Sequence, residues 1–211
     1  MGLRETKKLA TRQEIADKAM ELFAERGFDH VTVAEVAAAA GVSEKTVFNY
    51  FPTKEDLFYD EVPRREAALV DAIRSRRPGE SILAALRNLQ ARECTRLCEP
   101  GFAVFARIIE ESPELQAREL EVMAGFAQVV GAEIERDLGA DERDARIAAS
   151  LLIGVHRQLF RMARTRALAG KHGPAAVRRL RADLDRAYHL LEHGLGSLEQ
   201  PAAERVSVHL S

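Results

Sequence analysis

Within the run Glu44-Lys45-Thr46-Val47-Phe48-Asn49-Tyr50 the side chains suit contact with a nucleic-acid duplex better than bond-making. Lys45 can donate to the guanine acceptors of a major groove, and Asn49 can pair with both edge atoms of adenine. Thr46 and Tyr50 can donate to phosphate oxygens, and Phe48 can press on a thymine methyl or a sugar. Glu44 is the awkward member, since a carboxylate beside phosphate is repelled unless it accepts from cytosine N4 or pairs with Lys45. An ordinary helical pair joined by a capped turn would present the same residues to water.

To act together these groups must share the wet face of one short helix. Val42, Val47 and Phe51 have the spacing of a buried seam and leave the others pointing outward. Ser43 can cap the helix start, and Pro52, without an N–H, ends it. A preceding helix is marked by a T-x-x-E capping box at Thr32 and Glu35, with Val33, Val36, Ala37 and Ala40 on one apolar stripe. Gly41 can take the left-handed conformation that stops this helix. Thr53 and Asp56 form a second approximate capping box, and Lys54 sits where a helix N-terminus and a cation can both hold a phosphate.

Over about residues 11 to 58 the chain resembles the TetR family of transcriptional regulators. The likeness rests on Gly41-Val42-Ser43, Thr46-Val47-Phe48, Tyr50-Phe51 and Thr53-Lys54-Glu55 in the family's register. The resemblance implies a homodimer on a partly palindromic double-stranded operator, usually repressing, with a small molecule in the C-terminal part releasing the DNA. It also implies that Glu44, Lys45, Thr46, Phe48, Asn49 and Tyr50 occupy DNA-touching positions and that Thr32 and Lys54 are phosphate anchors. A regulator without a small-molecule effector, or an activator, would carry the same motif.

The chain has 211 residues and is 46% hydrophobic, ample for a packed core. With 31 basic and 33 acidic residues its formal net charge is −2, so affinity for DNA must come from local placement. Arg4, Lys7, Lys8 and Arg12 against Glu5 could form a basic arm, or a frayed terminus. No apolar stretch approaches the ~18 residues that span a bilayer and no signal peptide is visible, so a cytoplasmic protein is expected. The opening Met1-Gly2-Leu3-Arg4-Glu5-Thr6 fits a loose myristoylation pattern, read as coincidence in a chain that looks like a bacterial regulator.

Apolar-periodic runs punctuated by Gly and Pro, with almost no alternation, predict an all-α fold. Residues 1–54 are expected to form the helix-turn-helix DNA-binding domain and residues 55–211 a helical effector-binding and dimerisation domain. The first helix should run from about Thr11 to Arg26. A helix from Thr53 to about Arg76, which Pro63 could kink, should connect the parts, with Arg76-Arg77-Pro78-Gly79 as the hinge. Further helices are expected at about 80–97, 101–111, 113–138, 141–169 and 174–198.

In the second part, Phe102, Phe105, Ile109, Met123, Phe126, Leu151 and Phe160 have helical spacing and could line a cavity for a partly apolar ligand, with His156 to orient it; plain core is the alternative. Stripes carrying Leu151, Val155 and Leu159, and Leu180, Leu184, Leu191 and Leu195, could pack within the monomer. The family resemblance implies instead a four-helix seam between two copies.

No phosphate loop, G-x-S-x-G, H-E-x-x-H or catalytic cysteine–histidine spacing appears, and no cofactor is expected. Cys94 and Cys98, one turn apart, are poorly aimed for a disulfide. His189 and His193 share that spacing without a further ligand that would complete a zinc site.

Overall fold

Capping side chains set most of the early helix starts. In the computed structural model, which describes residues 2–194, the elements are α1 (Leu3–Arg26), α2 (Val33–Ala39), α3 (Glu44–Tyr50), α4 (Lys54–Phe58), α5 (Val62–Arg74), α6 (Ile82–Arg96), α7 (Phe102–Glu111), α8 (Pro113–Leu138), α9 (Glu142–Leu168) and α10 (Pro174–His193). The fold is all-α, and no strand occurs among the described residues. None of these helices is long and apolar enough to cross a membrane.

Thr32, Ser43 and Thr53 cap α2, α3 and α4 by accepting from the backbone N–H of Glu35, Thr46 and Asp56. Gly41, at φ 65°, makes the left-handed turn between α2 and α3. Helices α1 to α4 close on Ile15, Ala19, Phe23, Val36, Val47, Phe51 and Leu57, all essentially without exposure. Around them α8 and α9 form the central pair of the second part, joined by α5 and α7, while α10 packs on α6 and α9.

Three boundaries differ from expectation. The first helix begins at Leu3, so the basic arm is helical rather than frayed. The connecting helix is two helices: α4 ends at Phe58 and α5 starts at Val62, with Pro63 in its first turn. A missing N–H is harmless there, so Pro63 opens a new helix instead of kinking an old one. Arg76 donates to the carbonyls of Ile73 and Glu80 and pairs with Asp137 of α8. Because α5 packs on α6 and α8, residues 76–79 are a pinned turn inside the second part, not a hinge.

The two apolar stripes also divide differently. Leu180 and Leu184 have no exposure and Leu159 only 6%, because α9 and α10 turn them into the monomer's own core. They are corrected from seam to core. Val155 and Leu191 are half-buried against that core. Leu151, by contrast, is 56% exposed, beside Ile147 at 54%. Leu195 lies outside the described residues.

Candidate nucleic-acid interface and effector cavity

The wet face of α3 is built from the anchor beneath it. Val47 and Phe51 are buried, which leaves Glu44, Lys45, Phe48 and Asn49 exposed, Phe48 by 48%. Thr46 and Tyr50 are turned partly inward. The Thr46 hydroxyl lies 2.9 Å from Ser43 Oγ, and the Tyr50 ring packs on the small core. Glu44 and Lys45 make no ion pair with each other, so that way of relieving the Glu44 carboxylate is not used here.

The expected phosphate anchors have partners of their own. Thr32 gives its N–H and its hydroxyl to Glu35, both at 2.8 Å, and Arg26 pairs with the same carboxylate at 2.8 Å. The Thr32 N–H, then Arg26 and the Thr32 hydroxyl, hold the Glu35 carboxyl down at about 2. Lys54 is engaged within the chain as well. Its ammonium donates to the carbonyls of Phe28 and Val31 at 3.2 and 3.3 Å and lies 4.1 Å over the Phe28 ring. It staples α4 to the α1–α2 turn while staying half-exposed. Arg12 is likewise not part of a free arm: it donates to the Asp60 carbonyl at 2.8 Å and covers the Phe51 ring at 4.6 Å.

A cavity of about 170 Å³ opens where the α4–α5 elbow meets α7, α8 and α9. Of the residues the sequence offered, Phe105, Met123, Phe126 and Phe160 lie in its wall. The other expected lining residues do not. Phe102 stands behind the wall, 5.4 Å from Phe160 and 5.8 Å from Phe105 by ring centroid. Ile109 is entirely core, and Leu151 points to the outer surface of α9. His156 lies behind Phe126, ring centroids 6.1 Å apart, with Nε2 buried and unpartnered. Burial, with help from the Arg65 charge, pushes His156 down to about 4, so the ring is neutral near pH 7.

The lining missed from the sequence is mostly the elbow: Phe58, Tyr59, Asp60, Glu61, Val62 and Arg65, together with Met20, Arg96, Glu119 and Val122. Its hint was Pro63, which marks a helix start as readily as a kink. Tyr59 donates to the Leu115 carbonyl at 2.9 Å, and burial raises the pKa of its phenol. Burial also raises the Asp60 carboxyl, against the lowering effect of Arg12. Glu119 accepts from Arg164 across α8 and α9.

Phe58 belongs to both regions. Its ring lies 6.4 Å from those of Phe23 and Phe28 on the DNA side and stacks on Phe105 at 4.5 Å on the cavity side. Further ties join the parts. Ser112, the cap of α8, donates to Asp29 at 2.7 Å, and Arg118 of α8 bonds Asp56 of α4 at 2.8 Å.

Cys94 and Cys98 are buried free thiols, and burial pushes Cys94 up to about 11, away from the reactive thiolate. The His189 and His193 rings stack at 4.2 Å, and no cluster able to hold a metal occurs among the described residues.

A capped helix-turn-helix on a helical second part containing a cavity defines a DNA-binding regulator of the helix-turn-helix class. Residues 15–60 match the model for the bacterial regulatory proteins of the tetR family. The chain is 30% identical to the HTH-type transcriptional regulator TcmR of Streptomyces glaucescens, over 70% of this chain and 71% of that one. It is 29% identical to the HTH-type transcriptional repressor BepR of Brucella suis biovar 1, covering 69% and 76%. In fold it is similar to the transcriptional regulator FadR of Bacillus subtilis, solved in complex with stearoyl-CoA, at 20% identity and TM-score 0.55, covering 87% and 98%. The chain belongs to the TetR family of transcriptional regulators.

Proposed function

We propose that this regulator is a homodimeric repressor that leaves its operator when a small, partly apolar molecule occupies the elbow cavity. The observation that carries the proposal is the placement of Phe58, whose ring is at once part of the DNA-side core and part of the cavity wall. A ligand that displaces Phe58 must disturb α4, and α4 supports α1 through Lys54 and the capped turn. The repressor name of the BepR relative favours the sign chosen.

Residues 1–54 read the DNA in this proposal, and residues 55–211 receive ligand and partner. Lys45 and Asn49 contact base edges, Phe48 a methyl or sugar, and Glu44 a cytosine amino group. Thr46 and Tyr50 reach phosphates at the edge of the face, and Thr32 does so beside them. One short helix specifies few base pairs, so a two-fold partner supplies a second half-site about 34 to 36 Å away. The exposed pair Ile147 and Leu151 on α9 favours a seam there rather than on α10. The working compartment is the cytoplasm, where the DNA is.

A mobility shift with DNA from upstream of its own gene, repeated with compounds found by thermal-shift screening, tests this. Retarded DNA that a stabilising compound releases is expected. A purified chain that retards no such DNA would sink the repressor assignment, and compounds that stabilise without releasing DNA would remove the effector.

A further inference from the structure

Each carboxylate that lines the cavity, Asp60, Glu61 and Glu119, lies beside an arginine. Glu119 holds Arg164 at 2.7 and 2.8 Å, and Glu93 holds Arg96 through Nη2 at 2.8 Å. Glu61 holds Arg64 in a direct hydrogen bond, and Asp60 faces Arg12 at 4.0 Å. Arg65 is left over. Its nearest acid is Glu61 at 3.7 Å, through an oxygen that also lies 3.8 Å from Arg96. Among the described residues the Arg65 guanidinium donates no hydrogen bond, although its side chain is only 23% exposed.

A guanidinium carries five donors in a planar fork and no acceptor, and it stays charged even when burial lowers its pKa, as happens here with Arg96 adding repulsion. Arg65 lies 5.8 Å over the Phe160 ring, at the polar edge of an otherwise aromatic cavity. The group that satisfies a fork at such a place is a flat pair of oxygens. Glu61 at 3.7 Å offsets the charge of Arg65 without accepting from its fork, so a carboxylate monoanion suits the place better than a phosphate dianion. A cation would meet Arg65 itself, and burial already disfavours the charged form of Asp60, the loosely paired acid. The volume suits a compact body rather than a long chain.

Given the effector role proposed above, we infer that the cavity takes a compact apolar monocarboxylate, its carboxylate on the Arg65 fork and its body among Phe58, Phe105, Phe126 and Phe160. Arg65 is the residue that selects acid over neutral analogue.

Calorimetry on the full chain with matched aromatic and branched probes tests this: 4-phenylbutanoate and 4-methylpentanoate, each with its amide and its amine. An acid should bind roughly 10- to 100-fold tighter than its amide, with the amine weakest. R65Q should bring the acid down to the level of the amide, while R65K keeps the order. Thermal melts of both variants report folding. Equal binding of acid and amide, preference for an amine, an acid preference that survives R65Q, or no binding by any probe overturns the inference. Operator binding in the same samples is a separate readout. Acid binding that leaves the DNA complex intact keeps the anion site and removes the effector role. DNA release by acid and amide at the same concentrations keeps the effector role and removes the anion site.

Discussion

Arg164 of α9 donates from Nη1 to both carboxylate oxygens of Glu119 on α8, and the two side chains are only 10% and 8% exposed. Such a pair fixes the cavity wall more than it stabilises the fold, because desolvation offsets much of its attraction. Arg164→Ala leaves a buried carboxylate without its partner and is expected to cost roughly 3–5 kcal/mol in urea unfolding. The double change Arg164→Met with Glu119→Leu should recover most of that. A single variant as stable as the parent would show that water already reaches Glu119.

Lys54 and Asn49 should separate stability from recognition. Lys54→Ala removes two carbonyl contacts and the stacking on Phe28, so a loss of about 1 kcal/mol of stability is expected. The slope of log affinity against log salt should not change. Asn49→Ala should leave the melting curve alone and cost about 1 to 3 kcal/mol of operator binding at one base position. A flatter salt slope for Lys54→Ala would return its ammonium to the phosphates.

The α9 surface gives an association test. Leu151→Glu puts a charge on an exposed apolar patch, so sedimentation should show a monomer with normal helicity and weakened operator binding. Leu184→Ala, in the monomer core, should instead cost about 2–5 kcal/mol of stability. Dimers that persist in Leu151→Glu would move the seam elsewhere.

Glu35 sets a pH signature. Its folded pKa of about 2 lies below the ordinary 4.5, so it contributes stability that is fully present above 4.5 and lost as pH falls towards 2. Glu35→Gln should therefore melt lower than the parent at pH 7. The difference should shrink below pH 4.5 and be gone near pH 2. A gap that stays constant with pH would assign the effect to shape rather than charge.

The helix-turn-helix was legible because its determinants are local. Thr32, Ser43, Gly41 and Pro52 act within a turn or two of their own positions, and the Val47–Phe51 seam follows from period alone. The cavity was half legible. Phe105 shares a face of α7 with Phe102, and periodicity cannot tell the front of a wall from its back. The elbow was missed because Pro63 carries the same local signal for a kink and a start. Leu180 and Leu184 make a stripe fit for a seam or a core, and only the packing of α6 and α9 on α10 decides between them. The pairings that single out Arg65 join residues on different helices, so no spacing reveals them.

Because Phe58 faces two interiors, the cavity has one wall tied to the small N-terminal core and one that is not. Exchanging Met123 or Phe126 on α8, or Phe160 on α9, retunes the chamber from a side remote from the grip on the double helix. Any exchange at Phe58 alters both interiors at once, so, on the effector role proposed above, a laboratory lineage bred for a new inducer should accumulate its changes on the far wall and leave that ring alone.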